Sequence, residues 1–179
     1  MTNISHTKLL PYQSDWPKRF QNEKEILRTL FGSMALKIEH IGSTSIEGLL
    51  SKPIIDIAVL IKNKEDGDKF IEPLSHLGYW YNKVNSSNDN ERYFFRKGEP
   101  TEFHLSIAYA DRGSFWERQI LFRDYLRNHL EARDEYARLK ENLLKNDPTG
   151  IETYIAGKSE FVNKILQLAG SKYLPTKLK

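Results

Sequence analysis

The sequence predicts an α/β (α+β) protein: one helix, a mixed sheet of about five strands, then a helical C-terminal part. Three features carry this. Pro53 to Ile61 is apolar on both faces, as a strand in the middle of a sheet must be. Thr101 to Tyr109 alternates, with Phe103, Leu105, Ile107 and Tyr109 on one side and Glu102, His104, Ser106 and Ala108 on the other. From about residue 113 to 170 the pattern is helical. The expected organisation is a single domain over 1–179, with a helix-and-sheet core at about 1–112 and helices at about 113–170.

Each element has its own signal. Ser14-Asp15 before Trp16-Pro17 reads as a cap followed by a proline in the first turn, where a missing N–H does no harm. Phe20, Leu27, Leu30 and Phe31 then recur at helical spacing, which predicts a helix over Trp16 to Phe31. Leu36 to Ile41 alternates as a strand and ends at the Gly42-Ser43 turn, with a short helical segment expected near Ser45 to Leu50. Lys64 to Leu77 reads as a helix closed by Gly78 at C′. Tyr79 to Val84 and Arg92 to Arg96 are β-rich, and the polar NSSNDN between them predicts a hairpin with an open loop. Ser114 with Glu117 has the capping-box pattern for a helix to about Asn128, and Glu131 to Leu144 is a further helix. Thr149 with Glu152 repeats the box before a last helix to about Ala169.

Composition narrows the functional classes. With 39% hydrophobic residues a core can form, and a net charge of +3 is too mild for a protein that coats nucleic acid, while leaving an anionic ligand welcome. The absence of cysteine excludes disulfides, thiolate metal sites and a cysteine nucleophile. The opening MTNISHTKLLPYQSDW lacks a basic-then-apolar leader pattern, and the run Ile54 to Ile61 is short and broken by Asp56. A cytoplasmic location without a membrane partner is the expectation.

The chemistry concentrates in HIGSTSIEGLLSKPIIDIAVLI, His40 to Ile61. Gly42 lets backbone N–H groups approach a phosphate, and the hydroxyls of Ser43, Thr44 and Ser45 add donors, although Gly-Ser turns are also common as plain turns. Asp56 within an apolar strand is expensive unless it is paired or metal-bound. It shares a face with Ile54 and Ala58, and meets His104 if the two strands are neighbours; otherwise it caps backbone groups or pairs with Arg92. His40 precedes the turn, either as a hydrogen-bonded structural residue or as a third ligand with Asp56 and His104, a set that suits zinc better than magnesium. Lys158 interrupts the apolar stripe Ile151, Ile155, Val162, Ile165 and Ala169, so it either snorkels to water or meets an anion, with Tyr154 one turn away. The run ERYFFRK is read as a strand whose Arg92, Arg96 and Lys97 face solvent or substrate, and nucleic acid ranks below a small phosphorylated ligand.

The segments PYQSDWPKRF, IEHIGSTSIEGLLSKPIIDI, RYFFRK, HLSI, FRDYLRNH and YIAGKSEFV together resemble the GrpB-like family of the nucleotidyltransferase superfamily, across nearly the whole chain. The resemblance implies a nucleotidyltransferase-like fold and a nucleoside triphosphate as ligand. Gly42, Ser43 and Thr44, with Arg92, Tyr154 and Lys158, would bind phosphate and nucleotide; Asp56 and His104 would be the catalytic pair. Superfamily enzymes hold two divalent ions, magnesium or manganese, on an acid-apolar-acid strand and a third acid nearby. Here Ala58 stands where the second acid belongs; His104, or Glu102 beside it, stands nearest the third acid, and the run His104-Leu105-Ser106 has one imidazole only. The alternatives that follow are a single-metal hydrolase built on His40, Asp56 and His104, or a binding module without catalysis.

Overall fold

A computed structural model of the chain describes residues 8–83, 91–146 and 151–172, the side chains of 146 and 151–155 excepted. Helix α1, Trp16–Phe31, leads into strand β1, Lys37–Ile41, and strand β2, Ile55–Ile61. After a short helix α2, Ile71–His76, come strands β3, Tyr79–Tyr81, β4, Arg92–Lys97, and β5, Phe103–Tyr109. Helices α3, Phe115–Asn128, α4, Leu130–Asn146, and α5, Ile151–Leu168, complete the chain. The five strands form one sheet in the order β1-β2-β5-β4-β3, with β2 and β5 parallel and every other pair antiparallel. None of the helices among the described residues is long and apolar enough to cross a membrane.

The doubly apolar strand is central, as expected: β2 lies between β1 and β5, with Ile55, Ile57, Ala58, Val59 and Ile61 fully or almost fully buried. One sheet face carries Ile38, Ile57, Val59, Leu105 and Ile107 and is covered by Trp16, Leu27 and Phe31 of α1 and Leu74 of α2. On the other face Ile41, Ala58 and Ala108 are covered by Phe115 at the start of α3. A separate cluster joins Ile46 and Leu49, from the loop between β1 and β2, to Leu126, Tyr136, Phe161 and Ile165 of the three C-terminal helices. The helical part is thus anchored on that loop.

Local details differ from the sequence expectation for identifiable reasons. Asp15 precedes α1 with helical backbone angles, φ −84° and ψ −15°, and makes no side-chain cap bond. A cap needs extended backbone there to bring its carboxylate back to the first N–H groups. Ser114 likewise forms no capping box: both its N–H and its hydroxyl donate to Glu91 Oε1, each at 2.9 Å, and Glu91 also pairs with Arg118. The cap comes from a distant carboxylate, which helical spacing cannot reveal. The expected helix over 64–77 divides into a 3₁₀ segment, Lys64–Phe70, and α2, because Pro73 has no N–H to continue an α-helical ladder from the preceding turn. Gly78 does close α2 with φ 82°, its N–H bonding to Ser75 O. Near 45–50 the helical expectation shrinks to the 3₁₀ turn Ser43–Ser45. The NSSNDN loop and the Thr149–Glu152 box lie outside the described residues.

Leu27 is fully buried between α1 and the sheet. Leu27→Ala should lower unfolding free energy by about 3 kcal/mol, read as a shifted urea midpoint at unchanged slope.

Candidate functional site

The site starts from the Gly42 turn. Gly42 has φ 68°, a left-handed conformation that side chains rarely adopt, and a Cβ built on it would collide with Asp56, whose Cβ and Cγ lie 2.9 Å away. Glycine is required on both counts. Asp56 lies opposite Ile41 on one side and opposite His104 on the other, since β2 and β5 run parallel in that register. Its Oδ1 sits 2.9 Å from His104 Nδ1. With Nδ1–H donating to the carboxylate, His104 Nε2 is left as a lone-pair acceptor, an orientation suited to taking a proton.

Strand register separates the two histidines. His40 pairs with Ile57, so its side chain lies on the α1 face, stacked on Phe20 with ring centroids 4.8 Å apart. It is 6% exposed, and burial lowers its pKa to about 4. Its Nε2 lies 3.0 Å from Thr44 Oγ1, which in turn donates to the carbonyl of Ile54 at 3.0 Å. Thr44 has one proton to give, so the neutral imidazole donates to Thr44. Both side chains serve the turn. The expected set of His40, Asp56 and His104 is therefore not assembled, because alternate residues of β1 point to opposite sides. Thr44 is 1% exposed and its hydroxyl is committed to the turn, as is that of Ser45, which donates to Gly42 O at 2.6 Å.

Ser43 differs. Its hydroxyl accepts from Lys140 Nζ at 3.3 Å, and the same ammonium bonds the carbonyl of Leu50. Lys140 is 2% exposed, and desolvation, reinforced by the charge of Lys158, lowers its pKa to about 7. Lys158 is lowered to about 8, by burial first and then by Lys52, against the opposing pull of Asp56. Lys52 is lowered by burial too. Three lysines from the loop, α4 and α5 thus share one neighbourhood with Ser43 and Asp56. Of these only Lys158 was visible to sequence reasoning, because it broke an apolar stripe; Lys140 sits in a helix rich in charge and carries no such mark. The Tyr154 side chain lies outside the described residues. Arg92 is placed elsewhere on the sheet, donating to Ser106 Oγ at 3.0 Å and lying over Phe94 and Phe115.

The donor set does not fit a pair of protein-held divalent ions. Ala58 offers no ligand and is buried under Phe115, and Asp56 has one oxygen on His104 and the other against Gly42. Among the described residues no group of three or more His, Cys, Asp or Glu side chains is placed to hold a metal. What surrounds the turn is positive charge, and its natural counterpart is an anion. A cavity of about 800 Å³ opens between α4 and α5, lined by Leu139, Gly157, Phe161 and Asn163 among others, but neither the lysines of the turn nor the Asp56–His104 pair line it.

Two outcomes check this geometry. Gly42→Ala should destabilise the fold by more than about 1 kcal/mol in urea denaturation, through the positive φ and the collision with Asp56. Folded Lys140 releases its proton near pH 7, whereas an unfolded lysine holds it to about 10.5. Between those values the unfolded chain binds more protons, so stability should rise with pH across the window and level off below pH 7, where both states are protonated. Urea midpoints at pH 7 and 9 should show that rise, and Lys140→Met should reduce it, leaving the part due to Lys158.

Residues 6–168 match the family described as GrpB protein. UPF0157 protein PA4798 of Pseudomonas aeruginosa is 39% identical over 167 residues, covering 89% of this chain and 66% of that longer relative. The crystal structure of the conserved protein GrpB from Enterococcus faecalis superposes with a TM-score of 0.82 at 32% identity, covering 90% of this chain and 96% of that one. Terminal uridylyl transferase 4 from Trypanosoma brucei with bound dUTP gives a TM-score of 0.51 at 13% identity, covering 92% of this chain and 57% of that one. At that identity the likeness concerns the fold, which is nucleotidyltransferase-like. The chain belongs to the GrpB family.

Proposed function

We propose that this protein binds a phosphorylated small molecule at the Ser43 turn, with a nucleoside triphosphate as the ligand class. The observation that carries it is the grouping of Lys52, Lys140 and Lys158 around that turn, with the pKa of each lowered. Buried ammonium groups lose hydration and repel one another; a polyphosphate between them offsets both effects. Ser43 and the turn supply neutral donors, and the nucleotidyltransferase-like fold agrees with a triphosphate. A divalent ion would arrive on the ligand's own phosphates, with Asp56 as the protein carboxylate beside it. The arrangement also suits nucleotidyl transfer. An acceptor hydroxyl would give its proton to His104 Nε2 as its oxygen bonds the α-phosphorus, and the bond to pyrophosphate would break, with the lysines holding the leaving group.

A thermal-shift panel of the four ribonucleoside triphosphates, with and without magnesium, tests the binding. At about 100 times the dissociation constant a ligand adds about 2.7 kcal/mol, which for this size is a rise of roughly 5–10 °C. Lys158→Met should remove most of the rise. Absence of any shift with all four would sink the proposal. Bound phosphates keep both lysines charged, so binding should draw protons from solution above pH 7 and weaken as pH passes 8. Titration calorimetry in buffers of different ionisation enthalpy reads that proton uptake directly.

A further inference from the structure

Beside the Asp56–His104 pair the sheet carries a second set of cations, which the triphosphate reading leaves unused. One cross-strand row runs Asp56, His104, Arg96, Trp80 through β2, β5, β4 and β3. Residues directly opposite in such a row have Cβ atoms about 5 Å apart on the same face. The next row places Ser106 beside Phe94. Above them rings and guanidinium groups alternate. Arg92 lies 4.6 Å from the Phe115 centroid and 4.8 Å from that of Phe94, and Arg96 lies 5.7 Å from Phe94 and 5.4 Å from Trp80. The His104 ring meets the same Phe94 at 5.1 Å.

The guanidinium of Arg96 stands out within this strip. It makes no ion pair with a described residue, and its buried Nε has no hydrogen-bond partner. Most of the other arginines of the fold are engaged: Arg19, Arg112, Arg118, Arg123 and Arg133 each meet a carboxylate. The rings of Trp80 and Phe94 lie 5.4 and 5.7 Å from the Arg96 guanidinium carbon, within cation–π range, and limit its hydration. Trp80 at the open end is 48% exposed, large for a tryptophan, and leaves the strip reachable from solvent.

We propose that Arg96, braced by Trp80 and Phe94, is the binding point for an anionic group, carboxylate or phosphate, on a small hydroxyl-bearing acceptor. It rests on the transfer reading above for its role, since His104 is the adjacent residue of the row. Anchored there by its acid group, the acceptor has its hydroxyl at His104 Nε2. The acceptor's charge sits on the β4 side of the dyad and the triphosphate's on the lysine side. Two separately charged subsites on one sheet face give an ordered pair of anions.

The test uses glycerol 3-phosphate, D-glycerate and glycerol as probes, titrated by calorimetry against the intact protein with and without α,β-methylene ATP. The two acids should bind and glycerol should not, and the stronger of the two identifies the acid group. Arg96→Gln should weaken acid binding at least tenfold while α,β-methylene ATP binds as before. Arg96→Lys should recover part of the loss, and Trp80→Leu, an exposed position, should cost several-fold without affecting the melting temperature. Acid binding that ignores Arg96→Gln overturns the proposal, and so does triphosphate binding with no binding of either acid. Acid binding that depends on Arg96 in a protein indifferent to α,β-methylene ATP leaves this site standing and removes the nucleotide reading instead.

Discussion

Cations from the C-terminal helices seize the carbonyl oxygens of one loop, and the site exists because they do. Arg127 bonds Ser45 O at 2.7 Å, Arg133 bonds Glu47 O at 3.1 Å and Lys140 bonds Leu50 O, while Arg123 bonds His40 O, near the end of β1, at 2.9 Å. The loop between β1 and β2 has little regular structure, so its carbonyls find partners from elsewhere. Charged donors give stronger bonds than neutral ones and fix the loop against the helices. Ile46 and Leu49 add the apolar half of the same joint, packing against Leu126, Tyr136 and Phe161. The C-terminal helices are therefore one wall of the site rather than an annex beside it.

That joint has an electrostatic consequence. Arg123 finds carboxylates in Glu39 and Asp124, so its charge is matched. Lys140 bonds a carbonyl and a hydroxyl, both neutral, and Asp56 is the carboxylate that offsets Lys158. Loop, helices and sheet together bring Lys52, Lys140 and Lys158 to the neighbourhood where glycine also brings backbone close to a strand carboxylate. Desolvation lowers the pKa of all three, a cost to folding that the surrounding contacts must offset.

The Asp56–His104 contact gives the neighbouring end of that site its character. Two residues past Asp56, Ala58 packs into a small apolar cluster, and the carboxylate's neighbour across the strand is the His104 imidazole. A lone carboxylate is satisfied by one imidazole at 2.9 Å, whereas two divalent ions need several oxygen ligands. The site holds a hydrogen-bonded pair there, and the aromatic-arginine strip continues from it across β4 and β3.

The sequence by itself determined what depends on period and composition. The doubly apolar run made β2 central, the helical spacing of Phe20, Leu27 and Phe31 marked α1, and the long middle block tied the chain to its family. Asp56 and His104 were visible as a pair because alternation assigns faces within each strand, and only their adjacency was open. Tertiary structure decided the rest. Register put His40 on the far face with Phe20, since one residue's shift in a strand reverses the side of every side chain. It recruited Lys52 and Lys140, which no local pattern distinguishes from the other lysines of the chain, and it took the α3 cap from Glu91 rather than from the residues at the helix start. Spacing along a chain reports which way a side chain points on its own element; which charges meet is fixed by how elements from distant parts of the chain pack together.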